Sequence, residues 1–124
     1  MNRRHRILAP FAAAPALALA CAATASAHVM LESTSPARSS HRSHAPAAVS
    51  MTFSGPIRSG KMTVTGPGGK TASAGKGGRD PRNIDRLLVQ LKHGLKAGRY
   101  TVHASTIAAD SHHQTWKWSF TVRK

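Results

Sequence analysis

The chain has 124 residues, of which 18 are Lys or Arg and only four are Asp or Glu, so its formal net charge is +14. This length accommodates one domain, and it excludes a (β/α)₈ barrel or a Rossmann unit joined to a separate substrate domain. Hydrophobic residues make up 40% of the chain, but much of that fraction lies in one run near the N terminus.

That N-terminal run has the features of a secretory signal peptide. Residues 7–23 are almost free of polar groups, and Ala25 and Ala27 fit the small-residue pattern of a cleavage site. The basic segment that precedes such a run consists here of three arginines, Arg3, Arg4 and Arg6. We predict that residues 1–27 are the signal peptide, that cleavage follows Ala27, and that residues 28–124 form the mature, periplasmic or secreted domain.

Two alternatives for this run remain open. A transmembrane anchor is one, although the apolar stretch is at the short limit for a span and is interrupted by Pro10 and Pro15. A lipoprotein signal ending at Cys21 is the other, although Ala18 stands where such signals prefer Leu.

The predicted mature domain is strongly basic and has no thiol. Without the three leader arginines it keeps 15 Lys and Arg residues against all four acids, a formal charge of +11. Cleavage removes Cys21, the only Cys of the chain. An exported domain of this size without disulfides must be stabilised by its hydrophobic core, with or without a metal.

Five segments of the mature chain alternate apolar and polar residues, which is the period of a strand with one buried face. Their apolar positions are Val49, Met51 and Phe53; Met62 and Val64; Leu87, Val89 and Leu91; Tyr100 and Val102; and Trp116, Trp118, Phe120 and Val122. No segment has a convincing helical period, and Gly-Pro and Gly-Gly pairs mark turns. The pattern predicts a single all-β domain, a β-sandwich or small Greek-key barrel. Two segments, Arg38–His44 and Gly66–Pro81, are predicted to be surface loops, the second of them mobile.

Histidine is the unusual residue of this sequence. Without Cys, a metal site would have to be built from imidazole, carboxylate and main-chain nitrogen, a donor set that suits Cu(II). Seven of the eight histidines lie in the mature chain: His28, His41, His44, His93, His103, His112 and His113. His41 and His44 could form a secondary metal clip, but solvated loop histidines are the simpler interpretation.

His28 becomes the first residue if the signal is cleaved after Ala27. Its free α-amine and its imidazole Nδ1 could then chelate one metal ion, whereas the simpler interpretation is that His merely follows the cleavage site. Asp110 and His112 are two residues apart, so in an extended segment they face the same side. They lie between two predicted strands, where a carboxylate and an imidazole could converge.

Three parts of the mature chain follow a known pattern. The chain opens with His28 directly after the signal and continues to Ser35-Pro36-Ala37; Phe53-Ser54-Gly55-Pro56 ends a strand; and Tyr100, Asp110, His112 and Phe120 keep a fixed spacing near the C terminus. In these segments the sequence resembles the CopC-type copper resistance proteins. The resemblance implies a cupredoxin-like β-sandwich that binds Cu(II) and is not an enzyme.

The resemblance also implies the ligands and a partner. His28 would bind through its amine and imidazole, Asp110 through a carboxylate oxygen and His112 through its imidazole, with water completing the coordination sphere. His113 would be an additional ligand or would donate a hydrogen bond to one of the ligands, although an exposed loop histidine is the simpler interpretation. Copper would then pass to an inner-membrane, CopD-like transport protein.

Some positions depart from the family pattern. Gly55 stands where the family often has a carboxylate, and Ala104 and Trp116 stand where Trp and Gly are common. Members that also bind Cu(I) have a Met-rich loop, whereas Gly66–Pro81 contains no Met. These differences indicate a repacked core and a protein restricted to Cu(II).

Two other functions compete with copper binding and transfer. One is a copper monooxygenase with an N-terminal histidine chelate, which we disfavour because the chain has no flat aromatic face and an Asp ligand opposes the Cu(I) state. The other is a basic module that binds cell-envelope polyanions. Export argues against nucleic acid as the physiological partner.

Overall fold

The computed structural model describes residues 28–124 together with Pro10. The predicted signal peptide and its cleavage site at Ala25 and Ala27 therefore lie outside the described residues. Eight strands run through the described part: β1 (Leu31–Ser35), β2 (His41–Arg42), β3 (Ala48–Phe53), β4 (Ile57–Thr65), β5 (Ser73–Asp80), β6 (Asn83–Leu91), β7 (Gly98–Ala108) and β8 (His113–Val122). The described residues contain one helical element, the three-residue 3₁₀ turn Pro67–Gly69.

The strands form two four-stranded sheets. Sheet 1 has the order β1-β3-β6-β5, and sheet 2 has the order β2-β8-β7-β4. All neighbours are antiparallel except β2 and β8, which are parallel. The predicted all-β sandwich is confirmed.

The core lies between the sheets and follows the predicted alternation. Every second residue of β3 is buried, and the intervening residues are only partly covered. Trp118 is buried as expected, whereas Trp116 is half-buried at one end of the sandwich. There the ring of Trp116 packs edge-on against Phe53, with ring centroids 5.7 Å apart. Met51 and Met62 are fully buried, so their thioethers belong to the core.

The prediction of a loop over Gly66–Pro81 is largely wrong, because the second half of this segment forms β5. This strand lies at the edge of sheet 1, where only β6 pairs with it. Its glycines supply a bulge: Gly75 and Gly77 have φ of 79° and 65°, and the pairing register shifts between Ala74 and Gly78. An edge strand with a bulge does not need the apolar alternation on which the sequence prediction relied.

The predicted loop Arg38–His44 also contains a short strand. β2 lies beside the C-terminal half of β8, where the Thr121 amide donates to the Ser40 carbonyl at 2.9 Å and the Arg123 amide donates to the Arg42 carbonyl at 2.8 Å. Its two residues are exposed, and a pairing this short leaves no periodic signal in the sequence. Within residues 28–124, no helix has the length and apolar character needed to cross a membrane.

Candidate metal centre

The structure brings together three of the residues that the sequence suggested as ligands. One donor atom from each of His28, Asp110 and His112 lies within 4.8 Å of the others. The rings of His28 and His112 stand nearly perpendicular, with centroids 5.7 Å apart. Donor atoms lie about 2 Å from a first-row metal such as zinc, so two donors of one ion are about 3 to 4 Å apart.

Asp110 and His112 owe their approach to a tight turn between β7 and β8. The Ser111 amide donates to the Ala108 carbonyl at 2.9 Å, and the Ala108 amide donates to the His112 carbonyl at 3.0 Å. Ser111 itself has a φ of 70°, in the left-handed region. The two side chains converge as predicted, but they do so through this turn and not through the extended segment that their spacing suggested.

The two oxygens of the Asp110 carboxylate have different neighbours. Oδ1 accepts a hydrogen bond from the His112 amide at 3.0 Å, which closes the turn on its own side chain. Oδ2 lies 3.9 Å from His112 Nδ1. The first oxygen fixes the orientation of the carboxylate, and the second faces the imidazole and is available to a cation.

The N-terminal segment is fixed to the end of β3 by a reciprocal pair of hydrogen bonds. The Met30 amide donates to Ser54 Oγ at 2.8 Å, and the Ser54 amide donates to the Met30 carbonyl at 2.8 Å. This pair holds the backbone two residues after His28. His28 is therefore held beside the other two candidate ligands even though it lies outside any strand.

The turn between β3 and β4 touches both halves of the candidate site. A Cβ atom added to Gly55 would lie 3.5 Å from Val29 Cγ2, next to His28 in the chain. On the other side, the Ala109 amide donates to the Pro56 carbonyl at 3.3 Å, next to Asp110. The turn thus links the N-terminal segment to the β7–β8 turn.

The three candidate ligands line one groove with residues that the sequence analysis did not assign to a site. Among them are Met30 and Glu32, which follow His28 at alternate positions, and Trp116. Trp116 Nε1 donates to Thr106 Oγ1 at 3.2 Å, which anchors the ring as one wall. The alternation of His28, Met30 and Glu32 was the available signal, but a single acid and a single Met carry little weight without the fold.

The other histidines lie elsewhere. His113 opens β8 opposite Ile107 and is not among the residues that line the groove. His41 and His44 line a separate hollow, and His93 and His103 are exposed. In residues 28–124, His28, Asp110 and His112 are the one set of three or more His, Asp or Glu side chains that lie close enough together to bind one metal ion.

Comparison with known proteins identifies relatives over most of the described chain. The family model for the CopC domain matches residues 31–123. Protein YobA of Escherichia coli K12 is 28% identical over 99 residues, which cover 78% of this chain and 80% of that protein. Protein YobA of Shigella flexneri matches with the same identity and coverage.

Solved structures share the fold. PcoC of Escherichia coli, described as a methionine-rich copper resistance protein, superposes with a TM-score of 0.63 at 27% identity, covering 78% of this chain and 100% of that one. CopC of Methylosinus trichosporium OB3b superposes with a TM-score of 0.63 at 24% identity, covering 77% of this chain and 93% of that one. The second likeness bears on the fold alone.

Proposed function

The chain belongs to the CopC family, and we propose that it is an exported Cu(II)-binding protein of copper resistance and homeostasis. The observation that carries the proposal is the convergence of His28, Asp110 and His112 within 4.8 Å in a chain whose residues 28–124 contain no Cys. Imidazole nitrogen and carboxylate oxygen suit Cu(II), whereas Cu(I) prefers thiolate and thioether donors. The described relative PcoC is a copper resistance protein, which supports the same role for this chain.

The proposed coordination begins with cleavage after Ala27. The free α-amine of His28 and its Nδ1 then bind one copper ion as a chelate, and His112 contributes the second imidazole. Asp110 contributes Oδ2, since its Oδ1 is occupied by the His112 amide. Water completes the sphere. Copper is cargo here, and the residues act by binding it.

The donor set favours Cu(II) over Cu(I). Met51 and Met62 are fully buried in the core, and the one exposed thioether of the described chain is Met30. PcoC is described as methionine-rich, whereas this sequence contains four Met in all. We therefore propose a Cu(II) site and poor retention of Cu(I).

We assign the protein no catalytic activity and place it in the periplasm or outside the cell. All three proposed ligands are exposed and line an open groove, so a second protein can reach the bound ion. That accessibility suits transfer of copper to an inner-membrane, CopD-like partner.

A Cu(II) titration of the processed protein, followed by its spin-resonance spectrum, tests the proposal. We expect one tightly bound ion, and we expect Asp110→Asn and His112→Gln each to weaken binding and to change the spectrum. His93→Gln is the matched control, because His93 is exposed and outside the ligand group. If all three variants bind Cu(II) as tightly as the unchanged protein, the proposed ligands are refuted.

A further inference from the structure

The outer face of sheet 2 carries Lys, Arg and His side chains but no acidic ones. Strand alternation directs every second residue of β4 from Ser59 onward, and of β7, β8 and β2, away from the core. None of these outward residues is Asp or Glu, and apart from Ile107 the uncharged ones are Ser or Thr. The basic face is defined by its six exposed ionisable residues, His41, Lys61, Arg99, His103, His113 and Lys117.

Two of its ionisable residues, His103 and Lys117, are direct neighbours across the strands. His103 lies opposite both Lys117 on β8 and Thr63 on β4. Arg99 lies opposite Thr121, on the strand where His41 pairs from the other side. Lys61, Arg99 and Lys117 carry the permanent positive charges of this face, and no outward-facing carboxylate of sheet 2 offsets them.

The acids of the chain lie elsewhere. Asp80 and Asp85 belong to sheet 1, where Asp80 Oδ2 is 3.7 Å from Arg86 Nη1. Glu32 lies on β1, also in sheet 1, and Asp110 belongs to the candidate metal centre. The charge of sheet 2 is therefore unbalanced where that of sheet 1 is partly paired, which points to a partner that supplies the negative charge.

The basic face contains a hollow with the donors that a phosphate requires. Lys61 and His103 of this face line it together with Lys76 of β5, which belongs to sheet 1, and with the hydroxyl-bearing residues Thr63 and Ser105. Ammonium and hydroxyl groups both donate hydrogen bonds to phosphate oxygens, and bonds from the charged donors are the stronger. The hollow is open to the solvent side of the sheet, so a surface-borne group can enter it.

We propose that the basic face docks the protein on an anionic phospholipid surface, with a headgroup phosphate in the hollow. Basic residues near an anionic leaflet are attracted to it, and short Ser and Thr side chains let a broad sheet approach closely. Among the outward-facing residues of sheet 2, Ile107 is the only apolar one, so the contact is electrostatic and peripheral. Asp110 and His112 lie in the turn at one end of this face, so docking leaves the groove open at its margin. The inference does not depend on copper binding.

Vesicle sedimentation tests the docking face with the copper-free processed protein, which contains all eight strands. We expect binding to vesicles that contain phosphatidylglycerol, weakening as salt increases, and none to pure phosphatidylcholine. Each Lys or Arg near an anionic surface strengthens partitioning about fivefold, so the triple variant Lys61→Gln/Arg99→Gln/Lys117→Gln should bind about 100-fold more weakly. Circular dichroism checks that each variant is folded.

The matched control removes the same charge elsewhere. Lys70, Arg82 and Lys92 are exposed and lie on no strand of sheet 2, so their replacement by Gln should weaken binding far less. Equal losses in both triple variants would show a general charge effect and overturn the docking face. Binding to soluble polyphosphate without binding to anionic vesicles would overturn the lipid assignment.

Orientation on the vesicle gives an independent readout. With a gadolinium chelate on the lipid headgroups, the amide signals of His103 and Lys117 should broaden. The signals of Leu88 and Gln90, on the outer face of sheet 1, should stay sharp. The reverse pattern would overturn the proposal even if binding to anionic vesicles is strong.

Discussion

At the scale of single residues, His28 matters through its position as well as its side chain. Only as the first residue does it offer an amine and an imidazole to the same ion. Its backbone is held in place two residues later, where the Met30 amide donates to Ser54 Oγ at 2.8 Å. Under the proposed function, cleavage after Ala27 would create the chelate and the fold would orient it.

Adding one residue before His28 should weaken Cu(II) binding by orders of magnitude. The extension turns the α-amine into a peptide nitrogen, which binds copper only after losing its amide proton. His28 is then left as a lone imidazole, and circular dichroism should stay unchanged because every strand lies after it. An extended protein with unchanged affinity and spin-resonance parameters would show that His28 is not the anchor.

Gly55 offers a way to add a ligand. A Cβ there would meet Val29 Cγ2 at 3.5 Å, an ordinary contact, so Gly55→Asp fits sterically beside the site. Two unit charges 4 Å apart attract by about 1 kcal/mol in water, and a divalent ion doubles this, so a carboxylate that reaches the ion to about that distance should raise Cu(II) affinity about tenfold or more. Gly78→Asp is the control, because a Cβ at Gly78 also meets no obstacle and Gly78 lies on β5. Equal affinities of the two variants would contradict the placement of Gly55.

At the scale of elements, the β7–β8 turn determines the site. Ser111 adopts a φ of 70° there, a conformation that costs an L residue roughly 1–2 kcal/mol and that a β-branched residue tolerates least. The turn is short because β7 and β8 pair as far as Ile107 and His113. The two C-terminal candidate ligands, Asp110 and His112, are therefore positioned by the pairing of two long strands.

Changes at Ser111 should separate geometry from chemistry. Ser111→Gly should keep copper affinity and hold or slightly raise the free energy of unfolding, because Gly accepts a positive φ without strain. Ser111→Val should lower the free energy of unfolding by about 1 kcal/mol or more and weaken copper binding, because the turn must rearrange. Urea denaturation and Cu(II) titration measure the two effects. A Val variant with normal affinity would show that the turn does not position Asp110 and His112.

The sequence predicted well wherever one face of a strand is buried. The alternation in β3 and β8 is a direct consequence of packing against a core, and both strands were identified from it. β1, β2 and β5 were missed because these three edge strands do not alternate buried apolar residues with polar ones, whereas β4, also at an edge, does so at Met62 and Val64 and was predicted. The meeting of His28 with His112 could not be derived from local pattern, because it depends on which strands share a sheet; the family resemblance supplied it.

At the scale of the whole molecule, stability rests on the core between the sheets. Tyr100 is part of it: its ring stacks on Phe120 with centroids 5.5 Å apart, and its hydroxyl donates to the Lys96 carbonyl. Burial raises the pKa of Tyr100 above its usual value of 10.0. The phenol therefore keeps its proton to a higher pH in the folded protein than in the unfolded chain.

Alkaline pH should destabilise the fold through Tyr100. In the unfolded chain the phenol loses its proton near pH 10, while in the folded domain its raised pKa keeps it neutral, so deprotonation favours unfolding. The stabilisation is complete below pH 10 and is lost as the pH rises through the folded value. Tyr100→Phe should lose about 1 kcal/mol at neutral pH and show a smaller decline above pH 10. Parallel declines in urea titrations of both proteins would contradict this role.

Copper should stabilise this domain without being needed for its folding. His28, Asp110 and His112 are all exposed and none belongs to the core, so a chelator should leave the circular dichroism spectrum unchanged. An ion that binds only the folded state adds about 2.7 kcal/mol when its free concentration is 100 times Kd, which raises the Tm of a domain this size by roughly 10–20 °C. Thermal melts with and without Cu(II) measure the shift, and His112→Gln should reduce it. Reducing agents that leave copper untouched should not change Tm, because residues 28–124 contain no Cys. Unfolding on chelation would show that copper has a structural role, as zinc has in small metal-dependent domains.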